Sequence, residues 1–364
     1  MKSFALTFAA FFPAIVVPVV CSAASYSVVD LGTLGGTFGV ALGLNAKGQV
    51  TGQATTLAGA VHAFFYDGTM HDLGTFGGSG SAGNGINASG QIAGSAQTVG
   101  NAARHAFFYD GTMHQLGTFG GQNSEALGIN ASGQMTGFAD AGNGNHAFLY
   151  DAIHGMVDLN TLISPSLGWL LLRGSAINDL GQITGEGLIG GQTHAFVFDG
   201  TVHDLGTVSG VGSPSSRGYA INASGQATGS SNDRVFLYDG TMHILGGLGG
   251  GAASGYGINA NGQVTGGSYI SSGSTPTLHA FVYDAAHGMV DLNSLVSPLS
   301  GLVLESGGAI NDAGQIAGAA SIGEEFHAFL LTPVPEPSSL VLCSLAFCAV
   351  AAYLSCRRLR RRAT

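Results

Sequence analysis

The sequence predicts an all-β fold: a seven-bladed β-propeller of four-stranded blades, closed by the N-terminal strand, with one C-terminal transmembrane helix. Three observations predict it. The segment Asn-x-x-Gly-Gln recurs seven times, at Asn45, Asn87, Asn130, Asn178, Asn222, Asn259 and Asn311, about 44 residues apart on average. A period of that length marks one supersecondary unit copied until the copies bury each other's apolar faces. Gly makes up 61 of 364 residues and charged residues only 9 %, while 45 % are hydrophobic. That composition excludes a charged disordered chain and fits short strands joined by many tight turns. Lastly, the seventh copy lacks a fourth strand, and the chain begins with one to spare.

The second copy shows the strands. They are expected at Ala82 to Asn87, Gln91 to Ala96, His105 to Tyr109 and Met113 to Gly117. Asn-Ala-Ser-Gly turns the first pair and Asp110-Gly111 the last, with Gly supplying positive φ. Asp67-Gly68, Asp199-Gly200 and Asp239-Gly240 repeat that hairpin signal. Four antiparallel strands per copy is the pattern of a propeller blade. After the last His-Ala-Phe, at His327, Leu331-Thr332-Pro333 leads out of the repeats, whereas Ser27 to Thr33 matches Met70 to Thr75 and Val202 to Thr207. A first strand that completes the last blade closes the ring and removes its edges. An open β-solenoid, the rival, needs no such leftover. Copies three and six share Asp151 to Asn160 and Asp284 to Asn293, so a three-blade block has been duplicated.

The ends differ from the body (25–333). Residues 1–24 read as a signal peptide: Lys2, an apolar run from Phe4 to Val20, then Ser22-Ala23-Ala24. Cys21 raises a lipid-modified cysteine, but Val19 and Val20 lack the small residue such a site needs. Residues 338–356 are 19 uncharged residues followed by Arg357, Arg358, Arg360, Arg361 and Arg362. As a helix they span about 28 Å, near the ~30 Å of a hydrocarbon core. The arginines stay cytoplasmic and everything earlier lies outside. All four cysteines (Cys21, Cys343, Cys348, Cys356) lie in these end segments, so the body has no thiol chemistry and is held by packing.

Val334-Pro335-Glu336-Pro337, the apolar segment and the arginine cluster (334–364) resemble, in that order, the PEP-CTERM sorting signal. The resemblance implies an exosortase-type membrane protease as partner, with Pro335, Glu336 and Pro337 as the recognition element. It also implies that the tail is removed after transient anchoring, leaving the protein at the cell surface or outside the cell. His-Ala-Phe, Tyr-Asp-Gly, Asp-Leu-Gly-Thr and Ile-Asn-x-x-Gly-Gln, over about 300 residues, resemble the HAF-repeat family of extracellular proteins. That resemblance implies an exported location and no reaction. The fifth copy departs from it, with Asp233-Arg234-Val235-Phe236.

Residues present once per copy read as architecture. Of the twelve histidines, six occupy the His-Ala-Phe position, and His71, His114, His203 and His243 a fixed place on the fourth strand. With a two-residue Asp-Gly turn, His62 and His71 share a face of one hairpin. A repeated pair with no third ligand is a poor metal site, so packing and hydrogen bonding are expected and no metal or other cofactor is. Asp179 and Asp312 echo a calcium loop, yet most copies carry Ala there, too few carboxylates for Ca²⁺. The Asn-Ala-Ser sequons at Asn87, Asn130 and Asn222 coincide with the repeated turn.

Symmetry-breaking residues are the functional candidates. Glu125, Arg173, Arg217 and Glu305 enter or precede first strands, which line the channel of a propeller, and with Trp169 form a possible ligand rim; Glu186 is a further symmetry-breaking candidate. No catalytic residue is assigned, because no triad, close acid pair or phosphate loop can be placed. By strand parity, the Asn-x-x-Gly and Asp-Gly turns lie on one rim. The connections that vary, Thr55 to Ala60, Asn160 to Leu171, Thr207 to Ser216 and Ser268 to Leu278, lie on the other, where recognition is expected. The body carries 20 Asp/Glu against 5 Lys/Arg, a balance of −15, which disfavours nucleic acid and anionic lipid. The function expected is non-enzymatic: polysaccharide or protein binding at the cell envelope or matrix. A propeller hydrolase or lyase acting on extracellular polysaccharide is the alternative.

Overall fold

The computed structural model describes residues 25–208, 214–271, 277–297 and 301–334. The fold is all-β and propeller-like, with only 3-10 turns as helix among the described residues. Residues 1–24 and the expected helix 338–356 lie outside them, and no described helix is long and apolar enough to cross a membrane. Among the described residues the 28 strands fall into seven antiparallel sets of four. Three sets are joined through single parallel bridges, Phe38 to Phe326 and Val61 to Gly80, and no sheet closes on itself.

The N-terminal strand Ser25–Gly32 pairs with Glu325–Val334, Ser25 opposite Val334 and Gly32 opposite Ala328. It therefore supplies the missing fourth strand of the last unit. Val334, read as the start of the sorting tail, is the last residue of that pairing. The outer side of the N-terminal strand is met by the sixth unit, where Tyr26 N–H donates to Leu295 O at 2.9 Å.

Each repeated motif has a mechanical task. The Asn of Asn-x-x-Gly-Gln is nearly buried. Asn45 Oδ1 accepts from the backbone N–H of Lys47 and Gln49, each at 3.0 Å, closing the first turn. Its Nδ2 donates to Asn87 O at 2.9 Å, in the next unit. The same bond runs from Asn87 to Asn130, and on through Asn178, Asn222, Asn259 and Asn311. Asn311 donates to Asn45 O at 3.0 Å, so the circuit returns to its start. In His-Ala-Phe the Phe is the core residue: Phe64, Phe107, Phe148, Phe196, Phe236, Phe281 and Phe329 are all at most 1 % exposed. Each such burial is worth about 1.5–3 kcal/mol.

The cores lie between units. Among the described residues there are seven buried clusters, each drawing on two neighbouring units; one unites Val50 and Phe64 of the first with Ala317, Ala328 and Leu330 of the last. A line of seven units would have six such joints. A size rule governs them. Thr51, Thr136, Thr184, Thr228 and Thr265 on second strands each meet a Gly on the next first strand: Gly83, Gly174, Gly218, Gly255 and Gly307. A Cβ there would stand 2.0–2.6 Å from the threonine Oγ1. The two remaining joints carry Ala on both sides, Ala93 with Ala126 and Ala317 with Ala41. The joint of last to first obeys the same rule as the others.

Candidate binding site

The seven first strands are Gly35–Leu44, Gly77–Ile86, Ser124–Ile129, Trp169–Ile177, Ser216–Ile221, Gly249–Ile258 and Leu302–Ile310. Each carries a β-bulge that leaves one residue unpaired: Leu42, Asn84, Leu127, Ser175, Tyr219, Tyr256 or Gly308. A bulge re-aims the side chain it frees. All seven positions line one cavity of about 200 Å³ shared by all the first strands. Glu125, Arg173, Arg217 and Glu305, expected on the channel, are not among its lining residues. The bulge turns the residue three before each Asn inward and leaves Glu125, Arg173 and Arg217 paired along their strands, while Glu305 is itself freed by a second bulge in its own strand.

Aromatic character is gathered on one side of this channel. Tyr219 and Tyr256 lie with ring centroids 5.7 Å apart, between Ser175 and Gly308 in the order of units. Burial pushes the Tyr256 phenol up from its ordinary value. Asn84, from the second unit, donates to Glu125 Oε1 and to Ala126 O, both at 2.9 Å. This ties down Glu125.

Three of the symmetry-breaking residues do converge. Arg217 Nε donates to Glu186 Oε2 at 2.6 Å across the joint between fourth and fifth units. Burial opposes the Arg217 charge, but Glu186 and Tyr219 more than offset that and hold its pKa above the usual value. Arg173 is the strand partner of Glu186, and its guanidinium carbon lies 5.4 Å from the centre of the Phe138 ring. Arg173 Nε is shut off from solvent without a hydrogen-bond partner. Phe138, Asn145, Leu172, Arg173 and Glu186 line a second cavity of about 270 Å³.

Trp169 and Glu305 stand apart. Trp169 packs edge-on against His194 and Phe196 of its own unit, both at 6.3 Å, and so covers core. Glu305 is half-buried on the last first strand, its side chain without a hydrogen bond or ion pair among the described residues. Val334 is described and half-exposed; Pro335, Glu336, Pro337 and the five arginines lie outside the described residues. A third cavity of about 220 Å³ lies beneath the N-terminal strand, lined by Tyr26, Asp284 and His287 among others.

The histidines are architectural, but not as the turn length predicted. Tyr66 pairs with Met70, so Asp67-Gly68-Thr69 is a three-residue connection. The extra residue places His71 opposite Phe65, on the face away from His62. It also brings Asp72 to His62, with His62 Nδ1 2.9 Å from Asp72 Oδ1. His146–Asp158, His194–Asp204 and His279–Asp291 repeat the pair, and His327–Asp30 makes it between the last unit and the N-terminal strand. Where Asp becomes Gln115, His105 bonds that amide. Where it becomes Ile244, Arg234 stands in place of His. The fourth-strand histidines fold back on their own turns, His71 Nε2 lying 3.0 Å from Asp67 Oδ1. Asp179 and Asp312 accept from Ala131 N–H and Ala260 N–H of the preceding unit, each at 2.8 Å. Among the described residues no three His, Cys, Asp or Glu converge on a metal position.

No family model matches the chain, and no curated protein matches it. Among solved structures it is similar to a mutant of Aleuria aurantia lectin in complex with Fucalpha1-6GlcNAc (12 % identity, 72 % of this chain and 96 % of that one, TM-score 0.41). It is also similar to TolB from Acinetobacter baumannii (13 %, 86 % and 80 %, 0.40) and to Trypanosoma rangeli sialidase (11 %, 85 % and 60 %, 0.34). At these identities and scores, nothing about this chain rests on the likenesses.

Proposed function

We propose that the chain is an exported, non-enzymatic seven-bladed propeller of the cell envelope or extracellular matrix, binding polysaccharide or protein at its variable rim. The observation that carries the binding reading is the division of labour among polar side chains. Those repeated in every blade are consumed in turns, seams and joints. Three that break the repeat, Arg173, Glu186 and Arg217, meet at the joints of blades three to five, beside a cavity with an uncommitted cation. The circuit of Asn bonds and the seventh core cluster support closure, which fixes the loops of the rim relative to one another. A rigid scaffold carrying variable connections is the usual setting for recognition.

The hydrolase or lyase alternative needs free carboxylates at one mouth. Glu125 is bonded to Asn84 and Glu186 to Arg217, and Glu305, the candidate acid without a described side-chain partner, stands apart from both, which favours binding over chemistry. Incubation with acidic and neutral polysaccharides, followed for both retention and new reducing ends, tests this. Retention without product is expected; product lost on Glu125→Gln or Glu305→Gln overturns the binding reading. Export and sorting rest on the two end segments. Mass spectrometry of the secreted form is expected to lack any peptide containing Arg357, and finding one contradicts removal of the tail.

A further inference from the structure

The body holds only five basic side chains besides histidine: Lys47, Arg104, Arg173, Arg217 and Arg234. Two of the five sit on adjacent first strands, against a balance of −15. One of them, Arg217, is neutralised by Glu186 at 2.6 Å. The other is not. The Arg173 side chain makes no hydrogen bond or ion pair among the described residues, and its Nε is both buried and unpartnered. Its one described side-chain partner is the Phe138 ring at 5.4 Å, which attracts a cation but accepts no conventional hydrogen bond. A buried guanidinium N–H without an acceptor is costly, and an anion brought from outside relieves that cost.

From this geometry we infer that the cavity between blades three and four binds the carboxylate of an acidic sugar, with Arg173 as its anchor. The planar guanidinium presents paired donors that match a carboxylate in two-point contact. Asn145 offers an amide, able to donate and accept, and Glu186 keeps Oε1 free because Oε2 is held by Arg217. Those two groups suit ring hydroxyls next to the acid. Leu172 gives the cavity an apolar wall. At about 270 Å³ the cavity falls just below the ~300–1,000 Å³ of ordinary ligand sites, so it takes one uronate unit and not an oligosaccharide. This assignment rests on the binding reading above and names the ligand class for it.

The test is calorimetric titration of the purified full chain with glucuronate, galacturonate, glucose, galactose and oligoglutamate. At least one uronate is expected to bind ten-fold or more tightly than its neutral counterpart. Arg173→Gln is expected to remove that preference. Arg173→Lys, which keeps charge and stem but not the fork, is expected to weaken it, as is Asn145→Ala at the exposed start of its strand. Arg104→Ala, in blade two, is expected to change nothing, and unchanged thermal melts separate loss of contact from loss of fold. Equal affinity for uronates and neutral sugars, or uronate binding indifferent to Arg173→Gln, overturns the inference. So does oligoglutamate binding as well as a uronate. The two readings fail separately. Polysaccharide retained equally by wild type and Arg173→Gln keeps the rim reading and sinks this site; uronate bound with no polysaccharide retained does the reverse.

Discussion

Gly218→Ala puts a methyl group where the blade joint has no room for one. A Cβ at Gly218 stands 2.2 Å from Thr184 Oγ1, with the next atoms, Gly185 N and O, at 3.3 Å. Thr184 is fully buried and its hydroxyl donates to Phe196 O at 2.9 Å, so it cannot simply swing away. Overpacking of this kind costs about 1–3 kcal/mol. Thr184→Ala alone loses that hydrogen bond, a net cost of about 1 kcal/mol. In the double variant the overlap is gone and the joint becomes Ala on Ala, as Ala93 and Ala126 already are. Gly→Ala then also lowers the entropy of the unfolded chain, a gain of about 0.4–1 kcal/mol. Denaturant unfolding of the four proteins should therefore give a coupling of about 1–3 kcal/mol, with the double variant close to wild type. Additive single effects, within about 0.5 kcal/mol, would refute the size rule.

Asn222→Ala strips the acceptor from the Ser224 and Gln226 N–H groups and the donor from Asn259 O. We expect a loss of about 2–4 kcal/mol, measured by denaturant unfolding, with faster amide exchange in that turn. His327 gives the seam a pH dependence. Burial alone would lower its pKa, but bonds to Asp30 and Glu325 outweigh that and raise it. Its contribution is therefore full below the unfolded value of about 6.5 and is lost as pH rises through the folded value. The group is partly exposed, so the change is under about 1 kcal/mol, and His327→Gln should flatten it in denaturant midpoints taken from pH 6 to 8. The turn carboxylates Asp67, Asp110, Asp199 and Asp239 run the other way. Hydrogen bonds from His71, His114, His203 and His243 lower their pKa values, so that support exists above about pH 3.9 and is lost as pH falls below it. Acid titration of the amide spectrum should show the four turns loosening first.

The repeat made the strands legible, because Asn-x-x-Gly-Gln marks the same turn in every copy, and His-Ala-Phe, or Arg-Val-Phe in the fifth, marks the same core Phe. The pairing of Ser25–Gly32 with the last unit was legible too, since Asp30 sits in the same Asp-Leu-Gly-Thr context as Asp72 and Asp204. What escaped was parity. One extra residue in the Asp-Gly-Thr connection reverses the face of His71, and one bulge turns Tyr219 and Tyr256 into the channel while leaving Arg217 beside it. Neither changes composition or period. The Thr–Gly and Ala–Ala rule was present in the sequence but invisible until the second strand of one unit was known to face the first strand of the next. The Arg173 cavity draws Phe138, Asn145 and Glu186 from two blades at unrelated spacings, so no motif announces it.

Closure of the chain end to end is most directly tested by a paired-cysteine experiment at Ser27 and Thr332, which stand opposite one another on the N-terminal and last strands. Directly paired antiparallel residues hold their Cβ atoms about 4.5–5.5 Å apart, close to the 3.5–4.5 Å of a disulfide. With the native cysteines replaced by serine, mild oxidation of Ser27→Cys/Thr332→Cys should give a quantitative intramolecular disulfide in the folded monomer and raise its melting temperature. Free thiols after oxidation, or cross-linked dimers in place of monomers, would contradict the closed seam.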